Sequence, residues 1–264
     1  MQIYNGNVYK YYPASRVEFF NDFMVRFTQT KDLNDPDECL PEFNYFCDKE
    51  IKTQRAIATL NRNCSNCLSP SKRKRFIRNF RRTFNWRKEI EAIYRHHLDI
   101  IGIFSLAKTQ FNSHLWNNYA CDGFCVEFDQ QSDFFHRRNA DIKGTGELYS
   151  VDYSGVPIDF DARKFFNSPG NDYMQLKVFY QKKDKWSLED EVRIIRLRCL
   201  ADRQLNDRRI SLFKIPQTAI KAIYFSPNAD DDFIMKSIAK IREKSVNIPI
   251  YKVINIEKKE IQLI

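Results

Sequence analysis

The stretch Lys185-Trp186-Ser187-Leu188-Glu189-Asp190-Glu191-Val192-Arg193-Ile194-Ile195-Arg196-Leu197 decides the reading of the fold, because an aromatic anchor and three acids lead into a run of β-strand composition. From Val192 to Leu197, β-branched and apolar residues are interleaved with Arg193 and Arg196, which fits a pleated strand. Glu189 and Glu191 then stand at its start. Residues two apart on an extended chain share a face and lie about 7 Å apart, with Asp190 on the other side. Two carboxylates held beside Trp186 can orient a hydroxyl, stabilise a cation or accept a proton. The same pattern suits a solvated acidic strand end with Arg193 as ion-pair partner.

Downstream of this stretch the chain predicts a strand at Ile220–Ser226, a helix over 230–244 with acids in its first turn, and strands at Ile248–Ile254 and 258–263. Upstream, Val8–Pro13 is a short aromatic strand closed by proline, Arg16–Phe23 a brief helix and Met24–Thr28 a second strand. Leu33-Asn34-Asp35-Pro36 makes a turn. Residues 38–99 read as a helical insertion of two or three pieces, one starting at Ser69-Pro70-Ser71. The apolar run Ile100–Leu106 reads as a central strand, followed by a helical turn at His114–Tyr119 and a strand at Gly123–Phe128. A short helix over 130–139, a strand at 148–153 and a helical pattern within 160–183 complete the chain. The expectation is a single α+β domain spanning 1–264, with six to nine strands in split mixed or antiparallel sheets.

The chain has 264 residues, 43% hydrophobic and 14% aromatic, enough to bury a full core. No apolar run approaches the ~20 residues needed to cross a bilayer, and no charged segment followed by an apolar stretch opens the chain, so a cytoplasmic protein with no membrane partner is expected. Cys64-Ser-Asn-Cys67 has metal-ligand spacing, with Cys39 and Cys47 as a second pair. That second spacing is wrong for a zinc knuckle, so ordinary thiols and no metal are expected. The four histidines, His96, His97, His114 and His136, form no metal-binding spacing.

Net charge is +9, from 43 Lys plus Arg against 34 acids. The excess gathers between Ser71 and Lys88, which holds no acid and interleaves its cations with Phe76, Phe80, Phe84 and Trp86. Phe76, Ile77, Phe80 and Phe84 recur at helical spacing as a buried stripe, with the arginines outside. Lys72, Arg73, Lys74, Arg75, Arg78, Arg81 and Arg82 are therefore a solvated basic face or a contact for RNA or single-stranded DNA.

Six pieces, Tyr9-Lys10-Tyr11, Arg26-Phe27-Thr28, Asn34-Asp35-Pro36, Gly102-Ile103-Phe104-Ser105-Leu106, Leu115-Trp116-x-x-Tyr119 with Gly123-Phe124-Cys125, and Trp186-x-x-Glu189-x-Glu191-x-Arg193, occur in the order seen in the bacterial domain-of-unknown-function family 2971, which the chain resembles over its whole length. It departs in a short Tyr119–Gly123 segment without the histidine often found there. The order of parts is also similar to that of ADP-ribosyltransferases. This implies an NAD cleft between two small sheets and a late catalytic glutamate, Glu191. By that resemblance Glu191 holds the ribose 2′-hydroxyl and Glu189 positions or deprotonates an acceptor. Tyr9, Lys10, Tyr11, Arg26, Asn34, Asp35, Ser105, Trp116 and Tyr119 would form the cofactor site, while residue type favours core anchors for Trp116 and Trp186. Such enzymes are often toxins or phage-defence effectors, some with a neutralising antitoxin partner. The other reading is a non-catalytic nucleic-acid-binding module using the basic helix at 72–88.

Overall fold

The computed structural model describes residues 2–35, 38–39, 43–46, 49–63, 68–85, 88, 95, 98–141, 144–156, 158–161, 176–206, 209–244 and 247–264. The chain divides into two compact units. One comprises Met1–Cys39, Ile100–Gly155 and Leu176–Ile264, and the other Leu40–Asp99 and Val156–Gln175.

The described strands are β1 (Val8–Tyr12), β2 (Met24–Gln29), β3 (Phe43–Phe46), β4 (Ile101–Ala107), β5 (Phe124–Phe128), β6 (Leu148–Ser150), β7 (Ile158–Asp161), β8 (Glu191–Leu197), β9 (Arg203–Leu205), β10 (Ile210–Lys214), β11 (Ile220–Phe225), β12 (Ile250–Asn255) and β13 (Glu260–Leu263). Helices among the described residues include α1 (Phe19–Asp22), α2 (Lys49–Asn63), α3 (Pro70–Thr83) and α4 (Asp231–Glu243), with several short helical turns between the strands. This is a mixed α+β architecture. In the larger unit eleven strands form one sheet in the order β13-β12-β11-β5-β1-β4-β2-β10-β9, with β8 on β4 and β6 on β8. Only β11 and β12 pair in parallel there.

The apolar strand at 101–107 is central, as its lack of alternation requires. One edge of β4 pairs along its full length with β8, from Ile101 opposite Leu197 to Ala107 opposite Glu191. The other edge is shared: β2 pairs at Gly102 and Ile103, and β1 at Ala107. Between those registers the sheet opens, and the freed Ser105 carbonyl accepts a hydrogen bond from Lys10 Nζ at 2.8 Å. A buried carbonyl left without a strand partner needs such a donor. The main core lies on one face, where Val25, Phe27, Phe104, Leu106, Val192 and Ile194 meet α4 residues Ile234, Ile238 and Ile241. Asp230 caps α4 by accepting from Phe233 N–H, as its acid-rich start implies. A second core, with Tyr9, Tyr11, Trp116, Cys125 and Tyr224, lies on the other side. Gly123 permits the close approach of the chain behind β1, because a Cβ there would fall 2.1 Å from the Tyr12 carbonyl oxygen.

Several expectations are corrected. The insertion at 38–99 is not wholly helical: Phe43–Phe46 forms β3, in parallel register with β7 within the smaller unit. Its aromatic content was hidden there by neighbouring helical segments. The described strands outnumber the six to nine expected, because short β9 and β10 carry weak alternation. The region 130–139 has only one 3₁₀ turn, Asp133–Phe135, and the strand at 148 ends at Ser150. On α3 the phenylalanine stripe is half-buried, not buried, and Phe76, Phe80 and Phe84 contact one another at ring separations of 5.8 and 4.6 Å. Pro36, Cys47, Cys64, Cys67, Trp86, His96 and His97 lie outside the described residues.

Candidate active site

Along β2, β4 and β8 the residues that alternate with the main core point to the opposite face: Arg26 and Thr28, Ser105, then Glu191 and Arg193. All five line one cavity of about 380 Å³, within the size range of small-molecule sites. Lys10 and Tyr12 of β1 line it as well, beside the opening of the sheet.

The floor is ionic. Arg193 is fully buried, and its Nε and Nη2 donate to Glu191 Oε1 and Oε2 at 2.8 and 2.9 Å. The same guanidinium donates to Glu38 Oε1 and to the Phe179 carbonyl. Lys182 Nζ donates to Glu189 Oε2 at 2.5 Å and Glu191 Oε2 at 3.3 Å, and stands 3.9 Å from Glu38 Oε2. Three carboxylates thus share two cations. Burial works to raise the Glu191 pKa, but Arg193 and Lys182 outweigh it and hold the carboxyl down to about 2. Burial raises Glu38, against the pull of Arg193. Lys182 is lowered by burial, but Glu191 and Glu38 leave it above its ordinary value. Glu191 therefore stays ionised at neutral pH and acts as a fixed negative charge, not as a proton carrier.

Glu189 is placed differently from the sequence expectation. The segment Asp184–Glu189 is a 3₁₀ helix, Asp190 turns the chain in the left-handed region at φ 44°, and β8 begins only at Glu191. The two glutamates are thus not neighbours on one extended strand. They meet through Lys182 because the turn at Asp190 swings Glu189 over the cavity, while the exposed Asp190 pairs with Lys108 Nζ at 2.5 Å. Aspartate tolerates that backbone conformation better than most residues. Asn112 Nδ2 fixes the turn by donating to the Leu188 carbonyl at 2.8 Å.

Aromatic groups form the walls. Tyr119 donates its hydroxyl to Glu189 Oε1 at 2.6 Å, and burial followed by this bond pushes its pKa up to about 12. Trp186 Nε1 donates to the buried Asp35 Oδ2 at 2.8 Å, and its ring lies 5.0 Å from Lys182 Nζ. Arg26 spends one nitrogen on Asp32 at 2.6 Å. Burial lowers the Lys10 ammonium to about 8.

Of the eleven residues assigned from sequence to catalysis or cofactor binding, the cavity brings together Glu189, Glu191, Tyr9, Lys10, Tyr11, Arg26, Asn34, Asp35, Ser105 and Tyr119. Trp116 is the exception. It sits in the second core, edge-on to Tyr11 at 5.0 Å, and its indole N–H donates to the Gln110 carbonyl at 2.8 Å. The cause is local: Trp116–Ala120 is a π-turn closed by Cys121 N–H on the Trp116 carbonyl, so Trp116 and Tyr119 do not share a face as α-helical spacing implies. The core-anchor reading of the two tryptophans thus holds for Trp116, whereas Trp186 lines the cavity. Sequence reasoning missed Lys182 and Glu38, which reach the site through tertiary closure and carry no motif spacing. Arg193 is the glutamates' ion-pair partner, as anticipated. Cys39 is a buried thiol, pushed up to about 12 by burial. Among the described residues no group of three or more His, Cys, Asp or Glu is arranged to hold a metal, and no helix is long and apolar enough to cross a membrane. No protein-family model matches the chain, and neither does any curated protein or solved structure.

Proposed function

We propose that the cavity takes NAD as substrate and that the protein is an ADP-ribosyltransferase-like enzyme modifying a macromolecule. The observation that carries this reading is the meeting, at one opening in the sheet, of an early aromatic strand, a middle strand bearing Ser105 and a late glutamate strand. The donor set fits the ligand. Tyr119, Tyr9 and Trp186 offer ring faces, Arg26 and Lys10 offer cations for the pyrophosphate, and Asn34 and Glu191 offer partners for ribose hydroxyls. The resemblance to family 2971 and to ADP-ribosyltransferases points the same way, and with it a role as toxin or phage-defence effector.

NAD supplies an activated glycosidic carbon whose bond to nicotinamide breaks with the electron pair leaving on nicotinamide. Glu191, ionised and immobilised by Arg193, stabilises the positive charge that develops at that carbon. Its orientation costs nothing during the reaction, because both oxygens are already fixed. Glu189 faces the acceptor side and takes the proton that an acceptor hydroxyl or amine gives up on attack. Tyr119 and Lys182 hold Glu189 in place.

The test is nicotinamide release from labelled NAD, with RNA, single-stranded DNA and cell protein offered separately as acceptors. Glu191→Gln is expected to abolish release while circular dichroism stays unchanged, and Glu189→Gln to retain NAD binding but lose transfer. Undiminished NAD consumption by folded Glu191→Gln refutes the site.

A further inference from the structure

The chain's positive charge is concentrated in the smaller unit. Helices α2 and α3 hold eleven Lys and Arg residues and one acid, Glu50, so this hairpin alone exceeds the net +9 of the whole chain. The two helices pack on each other, with Ala56 and Leu60 of α2 buried. Among the described residues, none of the seven α3 cations pairs with a carboxylate.

At about 100° per residue, Phe76, Ile77 and Phe80 occupy one side of α3, over roughly 100° of its circumference. Arg73 falls on that side too and donates to Asn61 Oδ1 of α2 at 3.3 Å. Lys74, Arg75, Arg78, Arg81 and Arg82 occupy the opposite side, over roughly 120°. Four of these five are exposed and Arg81 is half-buried. Lys74, Arg78 and Arg82 repeat every four residues, which spaces them about 6 Å apart along the axis. Cations in a row, with no carboxylate among them and no described partner, form a surface that a line of phosphates complements.

We infer that this five-cation face binds a nucleic-acid backbone without reading its sequence. The aromatic stripe takes no part, since it lies on the other side and its rings contact one another. This narrows the seven basic residues marked in the sequence to five and excludes base stacking on Phe76 or Phe80. The inference stands independently of the cavity, because binding is measured without NAD.

The experiment is fluorescence anisotropy of the full chain with a labelled single-stranded RNA and the matching single-stranded and duplex DNA, titrated with salt. Five phosphate contacts predict a slope of log K against log salt of about −3.5 for single strands and about −4.5 for duplex. Lys74→Glu/Arg78→Glu/Arg82→Glu is expected to weaken binding about 100-fold or more at low salt and to reduce the slope by about 2. The neutral variant Lys74→Gln/Arg78→Gln/Arg82→Gln guards against a folding defect and should show an intermediate loss. Phe76→Leu should leave binding unchanged. Unaltered oligonucleotide binding in both triple variants overturns the inference. So does binding confined to phosphatidylglycerol vesicles, which would make the face a membrane contact.

Discussion

Replacing Arg193 by Met removes the cation on which the buried carboxylates chiefly depend, and the cost can be worked from the geometry. Methionine fills a similar space but leaves Glu38, Glu189 and Glu191 with Lys182 alone. Breaking a buried pair from one side costs about 3–5 kcal/mol. The proton equilibrium of Glu191 gives a comparable figure: its carboxyl falls from 4.5 to about 2 in the fold, which corresponds to about 3 kcal/mol. Because the folded pKa is depressed, the unfolded chain binds more protons between these values. The wild type therefore has this stability above pH 4.5 and loses it as pH falls toward 2, with roughly 2 kcal/mol gone by pH 3. In the variant that contribution is missing, and protonation relieves the uncompensated buried charges. Urea unfolding followed by circular dichroism should show a gap of about 3–5 kcal/mol at pH 7 that narrows by roughly 2 kcal/mol at pH 3. Adding Glu191→Gln to the variant should recover part of the loss. A gap independent of pH would mean that Arg193 contributes packing and not charge, which would refute the electrostatic account.

Lys10→Met should remove a stability step at alkaline pH. Burial lowers this ammonium from 10.5 to about 8, so the unfolded chain holds more protons between these values and wild-type stability climbs from pH 8 to 10.5. Urea midpoints of the variant should lack that climb, and its nicotinamide release should fall. Trp186→Phe deletes the 2.8 Å bond to Asp35, a buried carboxylate, and should cost about 1–3 kcal/mol in urea unfolding. A loss below about 0.5 kcal/mol would show that Lys185, 3.7 Å from Asp35, suffices.

The strands that frame the cavity were legible because each carries a strong local signal. Val8–Tyr12, Met24–Gln29 and Ile101–Ala107 are dense in β-branched or aromatic residues, and each lies within two residues of its expected limits. The gap between β1 and β2 was not legible, since it depends on two strands sharing one edge of β4. Glu189 reaches the cavity by another route than the one expected, because sequence does not reveal that Asp190 adopts a left-handed conformation. Trp116 serves as the core anchor that was its other expected role and not as a wall of the cavity, since W-x-x-Y gives a shared face only on an α-helix. Lys182 lies seven residues before Glu189 with a helix between, so no periodicity connects them. Partners recruited by tertiary closure leave no local trace.

Strand β8 contains its own control for whether Arg193 marks a site or merely fills space. Arg196, three residues on, is equally buried but belongs to the other face. Its Nη2 donates to the Phe134 carbonyl at 2.7 Å, Asp141 stands 3.5 Å away, and the guanidinium carbon lies 5.0 and 6.0 Å from the Phe134 and Phe27 ring centres. That cation is held by carbonyls, rings and the buried Asp141 in a packed core and does not line the cavity. Arg193 instead fixes two carboxylates on the wall of an open cavity, beside a lysine that serves both glutamates. A cluster of this kind is a poor way to gain stability, because apolar residues of equal volume would be as stable or more so. Ionic groups gathered where a small molecule can reach them are better explained by what they bind, and strained or perturbed groups concentrate at such places. The two arginines of one strand thus separate a cation packed into the core from one that holds carboxylates at the cavity wall.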